Sequence, residues 1–205
     1  MKKNIFDEYL KSIASIELEI RDYVKKVHDD VNQKYGDKSY FYHLDKVARL
    51  TEEYVYSIIR NENDILPVIF GAYFHDSIED ARLTYNDVKK IAKKWMTDYQ
   101  ALMAAEIVYA LTNEKGRNRA ERANEKYYEE IRNTPYVPLI KACDRLANIN
   151  FNSTYDSEQA KLMFKCHTKE MPEFINHINV DYDASIDNLE YTLPSDLKNK
   201  LLSFC

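Results

Sequence analysis

The chain has 205 residues, enough for one generous domain or one domain with an appendage. Its formal net charge of −5 argues against a general nucleic-acid binder, and its three cysteines, Cys143, Cys166 and Cys205, form no CxxC pair, which argues against a disulfide framework or a zinc ribbon. A composition that is 45% hydrophobic and 31% charged, with three glycines and five prolines to make turns, predicts an all-α fold.

Met1-Lys2-Lys3 leads into mixed polar sequence, and no stretch nears the ~20 apolar residues of a membrane span, so a cytoplasmic protein without membrane contact is expected. From Phe6 to Val31 apolar residues recur at helical spacing and predict one long amphipathic helix that stops near Gly36. His28 lies beside that stripe, where a lone histidine reads as a packed side chain. A loop through Asp37 to Tyr40 precedes a second helix with Leu44, Val47, Leu50, Tyr54, Val55 and Ile58 inward and His43 at its mouth. Asn61 is a candidate N-cap for a third helix, with Pro67 expected in its first turn. That helix is uncharged from Ile65 to Phe74, which predicts a central element surrounded by the others. Thr84 to Asp87 forms an approximate capping box, and Thr97 or Asp98 starts the next helix. Pro135 and Pro138 open a second largely apolar helix through Ile149. A final long helix is expected from about Ser157 to Phe174, then a loose acidic segment from Asp181 to Glu190, then a short helix capped by Ser195.

Four polar side chains of ligand type are set against these buried helices: His43, His75, Asp76 and Asp144. Burying an imidazole and a carboxylate at the end of an apolar helix costs several kcal/mol unless something compensates. A divalent metal does so; so does simple capping of the helix end by His75 and Asp76. Two imidazoles with two carboxylates suit a borderline-to-hard ion, Mn²⁺, Fe²⁺ or Mg²⁺, rather than structural zinc. The spare histidines sit in no matching motif, so a single ion is expected.

The order H…HD…D on three helices of an all-helical chain resembles the HD superfamily of metal-dependent phosphohydrolases. The blocks His75-Asp76-Ser77-Ile78-Glu79-Asp80, Ala110 to Lys115 and Lys141-Ala142-Cys143-Asp144-Arg145-Leu146-Ala147-Asn148 resemble the hydrolase domain of the RelA/SpoT family and its small stand-alone relatives. The likeness runs from about Ile20 to Phe151. It implies an HD-domain helical bundle, expected at residues 1–152; residues 153–205, outside the likeness, are expected to form a C-terminal helical extension packed on the same domain. Such an extension serves homo-oligomer contacts or forms one wall of a cleft. The resemblance makes His43, His75, Asp76 and Asp144 the metal ligands, Glu79 and Asp80 the pair that orients and deprotonates water, and Asn148 a contact to substrate or to the site's hydrogen bonds. It implies removal of the 3′-pyrophosphate from ppGpp and pppGpp, usually with Mn²⁺; Co²⁺ is a further candidate ion.

Cations are available for the phosphates: Lys115, Arg117 and Arg119 as an anion clamp near a helix entrance, with Lys141 and Arg145, and Lys34 in place of the family's basic stretch before the first histidine. The same charged run also suits a solvated helix face, Glu79-Asp80 a solvated helix exit, and Arg145 a partner for Asp76 or Asp144. Two other functions share these residues: a nucleotidase or phosphodiesterase acting on another phosphorylated small molecule, and an inactive module that binds a nucleotide.

Overall fold

The computed structural model describes residues 1–113 and 117–205, residues 119 and 120 by their backbone alone. The fold is all-α, with one two-stranded hairpin. The expected long N-terminal helix is two helices, α1 (Lys3–Ser12) and α2 (Ala14–Asp29), joined at Ile13, whose ψ of 6° leaves the helical region. The Ser12 hydroxyl donates to the Tyr9 carbonyl at 2.7 Å, a local bond that competes with helix propagation. Periodicity alone missed the break because Phe6, Ile13 and Ile20 all still reach the core. The expected loop before the second helix is an antiparallel hairpin, β1 (Lys34–Tyr35) and β2 (Lys38–Ser39). Its turn needs Gly36 twice over. The φ of +61° favours glycine, and an added Cβ would stand 2.8 Å from the Phe151 ring and 3.0 Å from that of Tyr155.

The hairpin leads into α3 (Phe41–Val55), and Asn61 caps α4 (Glu62–Phe74) through its side chain. Every residue of α4 from Ile65 to Phe74 is buried, and the helix packs against α2, α3 and α7 (Asp98–Leu111), the central place its apolar sequence predicts. Pro67, however, lies in the second turn, not the first. Its missing N–H would leave the Asn63 carbonyl without a helical donor, and the Gln100 side chain of α7 supplies one at 2.9 Å. Close approach of α4 to α7 depends on Gly71, where an added Cβ would fall 2.4 Å from Ile107 Cγ2.

A short α5 (Ser77–Asp80) follows α4, and a capping box at Thr84 starts α6 (Tyr85–Ala92), as its sequence predicts; of the two starts open to α7, Thr97 is the cap, and it too forms a capping box. After α8 (Arg119–Arg122) and α9 (Glu125–Asn133), Tyr136 turns the chain with φ +65° into α10 (Val137–Thr154). The Tyr136 hydroxyl donates to Asp64 at 2.8 Å, tying the start of α10 to that of α4.

Three expectations for the C-terminal part are corrected. The single helix from Ser157 to Phe174 is α11 (Glu158–Lys169) and α12 (Met171–Ile178), divided at Glu170 because Pro172 suits the first turn of a new helix better than the interior of an old one. The segment from Asp181 to Glu190 is tied, not loose. Asn188 donates to the Asp181 carbonyl and accepts from the Asp183 N–H, and Arg60 pairs with Asp187. Ser195 is the first helical residue of α13 (Ser195–Leu202), with Pro194 in the cap position and no side-chain cap. Helices α11, α12 and α13 each pack against α10. No described helix is long and apolar enough to cross a membrane.

The Gly71 contact gives a test. Gly71→Ala gains roughly 1 kcal/mol of helix propensity but overpacks the α4–α7 seam at a cost of about 1–3 kcal/mol, so urea unfolding should show a net loss of stability. A variant as stable as the parent or more so would refute the seam's tightness.

Candidate metal centre

The apolar helix α4 ends at His75, and Asp76 stands between it and α5. Asp76 makes no side-chain cap for α5, which leaves its carboxylate free to turn elsewhere. His75 caps the helix end through one ring nitrogen and turns the other to the cluster. Its Nδ1 donates to the Ala72 carbonyl at 2.8 Å in the last turn of α4, and this fixes Nε2 as the nitrogen with a lone pair. From the first turn of α3, His43 places its Nε2 3.2 Å from His75 Nε2. Asp144, in the middle of α10, brings Oδ1 to 3.3 Å from His43 Nε2 and 4.0 Å from His75 Nε2. Asp76 Oδ2 lies 2.9 Å from His75 Nε2 and 3.6 Å from His43 Nε2. All four sequence-identified ligand candidates therefore meet, from three helices and the joint after one of them.

Within this cluster His43, His75 and Asp144 are all buried, their ligand atoms lie within 4.8 Å of one another, and the group could hold a metal ion. Asp76 borders it from the histidine side. Ligand atoms each about 2.0–2.2 Å from one ion stand roughly 3 to 4 Å from each other, the spread these nitrogens and oxygens show. The donor set also asks for a cation. Two imidazole Nε2 atoms face each other with two carboxylates beside them, and His43 Nδ1 is buried without a hydrogen-bond partner among the described residues. Neutral imidazole is the form that ligates, and with Nε2 turned to the cluster the His43 proton sits on Nδ1.

The remaining contacts orient the carboxylates. Lys141 Nζ lies 2.9 Å from Asp144 Oδ2, and Asn148 Nδ2 donates to Asp144 Oδ1 at 2.7 Å. Burial opposes charge on Lys141, but Asp144 outweighs it and holds the ammonium well above its usual range. Burial likewise opposes charge on Asp144; Lys141 and the two histidines outweigh it and hold its carboxyl below the usual range. The same holds for Asp76, where burial is overcome by His75 and His43. For His43, burial pulls the pKa down, and Asp144 and Asp76 overcome it and push it up to about 9.

Glu79, on α5, accepts from Asn113 Nδ2 at 2.7 Å and lies 3.7 Å from Arg122, with its carboxylate over a quarter exposed. Asp80 is half-buried on the same turn, its charge felt by Tyr40 and His28. The cations disperse. Lys141 belongs to the cluster, whereas the Arg145 guanidinium sits 4.1 Å from the Phe174 ring and 3.7 Å from Glu170, in the wall of a separate cavity of about 320 Å³ beside α12. Lys34 is exposed on β1, and Arg117 is exposed with its backbone N–H donating to Glu121. Lys115 and the Arg119 side chain, also expected at the phosphates, lie outside the described residues.

Sequence reasoning missed two tyrosines. Tyr40 donates from its hydroxyl to Asp76 Oδ2 at 2.6 Å, and Tyr35 donates to Asn148 Oδ1 at 2.8 Å while stacking on His43 at 4.8 Å. Tyr40 lies three residues before His43, a helical spacing that would have signalled it; nothing local marked Tyr35. His28 is buried, as a packed residue should be, and stacks on Tyr40 at 5.1 Å.

No family model matches the chain, and neither the curated proteins nor the solved structures compared with it gave a match.

A divalent ion must displace the proton that the carboxylates draw onto His43. Calorimetry at pH 7 in buffers of different ionisation enthalpy should therefore show proton release on binding of a divalent ion, vanishing above about pH 9. In the metal-free protein the raised His43 pKa contributes stability that is full below about pH 6.5, the unfolded value, and lost as pH rises through about 9. Metal binding without proton release at pH 7 would contradict this assignment.

Proposed function

We propose that this chain is a metal-dependent phosphohydrolase of the HD type, and that its substrate is ppGpp, pppGpp or a closely related nucleotide from which it removes a pyrophosphate. The observation that carries the reading is the meeting of His43, His75, Asp76 and Asp144 at the end of a wholly apolar helix, with Glu79 on the very next turn. His43, His75 and Asp144 would hold the ion, with Asp76 beside them; two imidazoles and carboxylates fit Mn²⁺. When bound, such an ion supplies Lewis-acid chemistry, acidifying water and polarising a phosphoryl oxygen.

The chain's own groups supply the rest. Glu79 keeps an exposed carboxylate, steadied by Asn113 and Arg122, that can take a proton from water at Oε1 or Oε2. Asp80 adds negative charge on the same turn and suits the orienting of that water. Lys141 holds Asp144 ionised and in place. Arg122 stands at the margin, where a phosphate could draw its guanidinium from Glu79. A cavity of about 390 Å³ adjoins His43, walled by Tyr35, Tyr42 and Phe151 with Lys46 and Arg49 at its side, a size and chemistry suited to a nucleoside.

A turnover screen with Mn²⁺ over ppGpp, pppGpp, NADPH and ordinary nucleotides tests the reading directly; release of pyrophosphate from the first two is expected. Glu79→Ala should lower that turnover by about 10²-fold or more while Mn²⁺ binding is kept. Full activity in the variant would remove Glu79 from the mechanism and favour a nucleotidase or phosphodiesterase that needs no such base. Nucleotide binding without any turnover would point instead to an inactive module.

A further inference from the structure

The hairpin between α2 and α3 sends two hydroxyls toward the cluster, one for each carboxylate. Tyr40, just after β2, donates to Asp76 Oδ2 at 2.6 Å, the same oxygen that approaches His75 Nε2 to 2.9 Å. A carboxylate oxygen has two lone-pair directions, so one can accept from the phenol while the other stays on the imidazole side. Tyr35, on β1, donates to Asn148 Oδ1 at 2.8 Å. That bond decides which way the amide faces: with the oxygen committed to Tyr35, the Asn148 NH₂ turns to Asp144, reaching Oδ1 at 2.7 Å and the backbone carbonyl at 3.0 Å.

Both tyrosines are themselves held. The His28 ring stacks on Tyr40 at 5.1 Å and 15°, and its two nitrogens are tied to Gln33 Oε1 at 2.6 Å and Ser77 Oγ at 3.3 Å. Tyr35 packs on His43 at 4.8 Å and on Phe151 at 4.2 Å. Gly36 lets the turn close down on Phe151 and Tyr155. Rings locked in this way present their hydroxyls at fixed positions, so the bonds cost little further ordering on folding or on binding.

We infer that Tyr40 and Tyr35 are positioning residues of the metal centre, the first orienting Asp76 directly and the second orienting Asp144 through Asn148. Hydrogen bonds of this kind to ligating carboxylates set ligand direction and typically change metal affinity 10–100-fold when removed. The inference rests on the metal-centre reading alone and not on phosphate hydrolysis, so a chain that bound Mn²⁺ and hydrolysed nothing would leave it standing.

The full chain, stripped of metal with a chelator, is titrated with Mn²⁺ by calorimetry and with Co²⁺ by visible absorption, as wild type, Tyr40→Phe, Tyr35→Phe and Ser39→Ala. The phenylalanines keep both rings and their stacking. Ser39→Ala removes a hairpin bond to Asp29 at 3.0 Å that has no part in the cluster. Each phenylalanine variant should lose about 10-fold or more in Mn²⁺ affinity and shift the Co²⁺ band, with helical circular dichroism unchanged. Ser39→Ala should titrate as wild type does. Wild-type affinity and an unshifted band in a folded phenylalanine variant would overturn the inference for that tyrosine. An equal loss in Ser39→Ala would reduce the effect to hairpin stability and overturn it for both, and a wild type that binds neither ion would overturn it at the root. The two tyrosines act on different carboxylates, so failure of one variant to fold leaves the other decisive.

Discussion

An imidazole at the end of a fully buried helix faces another imidazole, with two carboxylates alongside, and the rest of the molecule is arranged so that this can persist. Each of these groups loses hydration, which for isolated charges costs several kcal/mol even after relaxation. Lys141 returns part of that cost by pairing with Asp144, and the carboxylates draw a proton toward His43 for the same reason. With neutral imidazoles, two carboxylates and one ammonium leave the pocket one negative charge in excess. A divalent cation would reverse that balance, and His43, His75 and Asp144 could serve as its ligands in place of competing for protons.

The scaffold brings the donors in from rigid elements. His43 rides on the first turn of α3, His75 on the last turn of α4, and Asp144 on the middle of α10, so relative placement depends on helix packing rather than on loop conformation. The seams that fix it are specific. Gly71 lets α7 close on α4, Gln100 repairs the carbonyl that Pro67 leaves open, and Tyr136 ties the start of α10 to that of α4. The hairpin, which has too few residues for a core of its own, gains its place from Gly36 docking on Phe151 and Tyr155, and in return covers His43 with Tyr35.

Arg145 and Lys141, four residues apart on α10, show how strongly the packing decides a side chain's role. A helix turns about 400° in four residues, so the two leave the axis some 40° apart, and their neighbours send them to different ends. The first lies over Phe174 beside the C-terminal helices; the second reaches Asp144. Arg145 lines the cavity beside α12, whereas the cavity beside His43 shares that residue with the cluster.

The sequence by itself determined the fold class, the central place of the helix from Ile65 to Phe74, the N-caps at Asn61 and Thr84, and the four side chains that meet, because each depends on local chemistry: periodicity, hydroxyl or amide caps, and polar groups stranded in apolar runs. Only the tertiary structure decided the break at Ile13, the division at Glu170, the tethering of residues 181–190 by Asn188, the departure of Arg145, and the entry of Tyr35 and Tyr40. Those turn on which distant surface a residue meets. A periodic stripe reads alike through a bend, and a tyrosine that hydrogen-bonds a partner 113 residues away carries no mark of it in its neighbours.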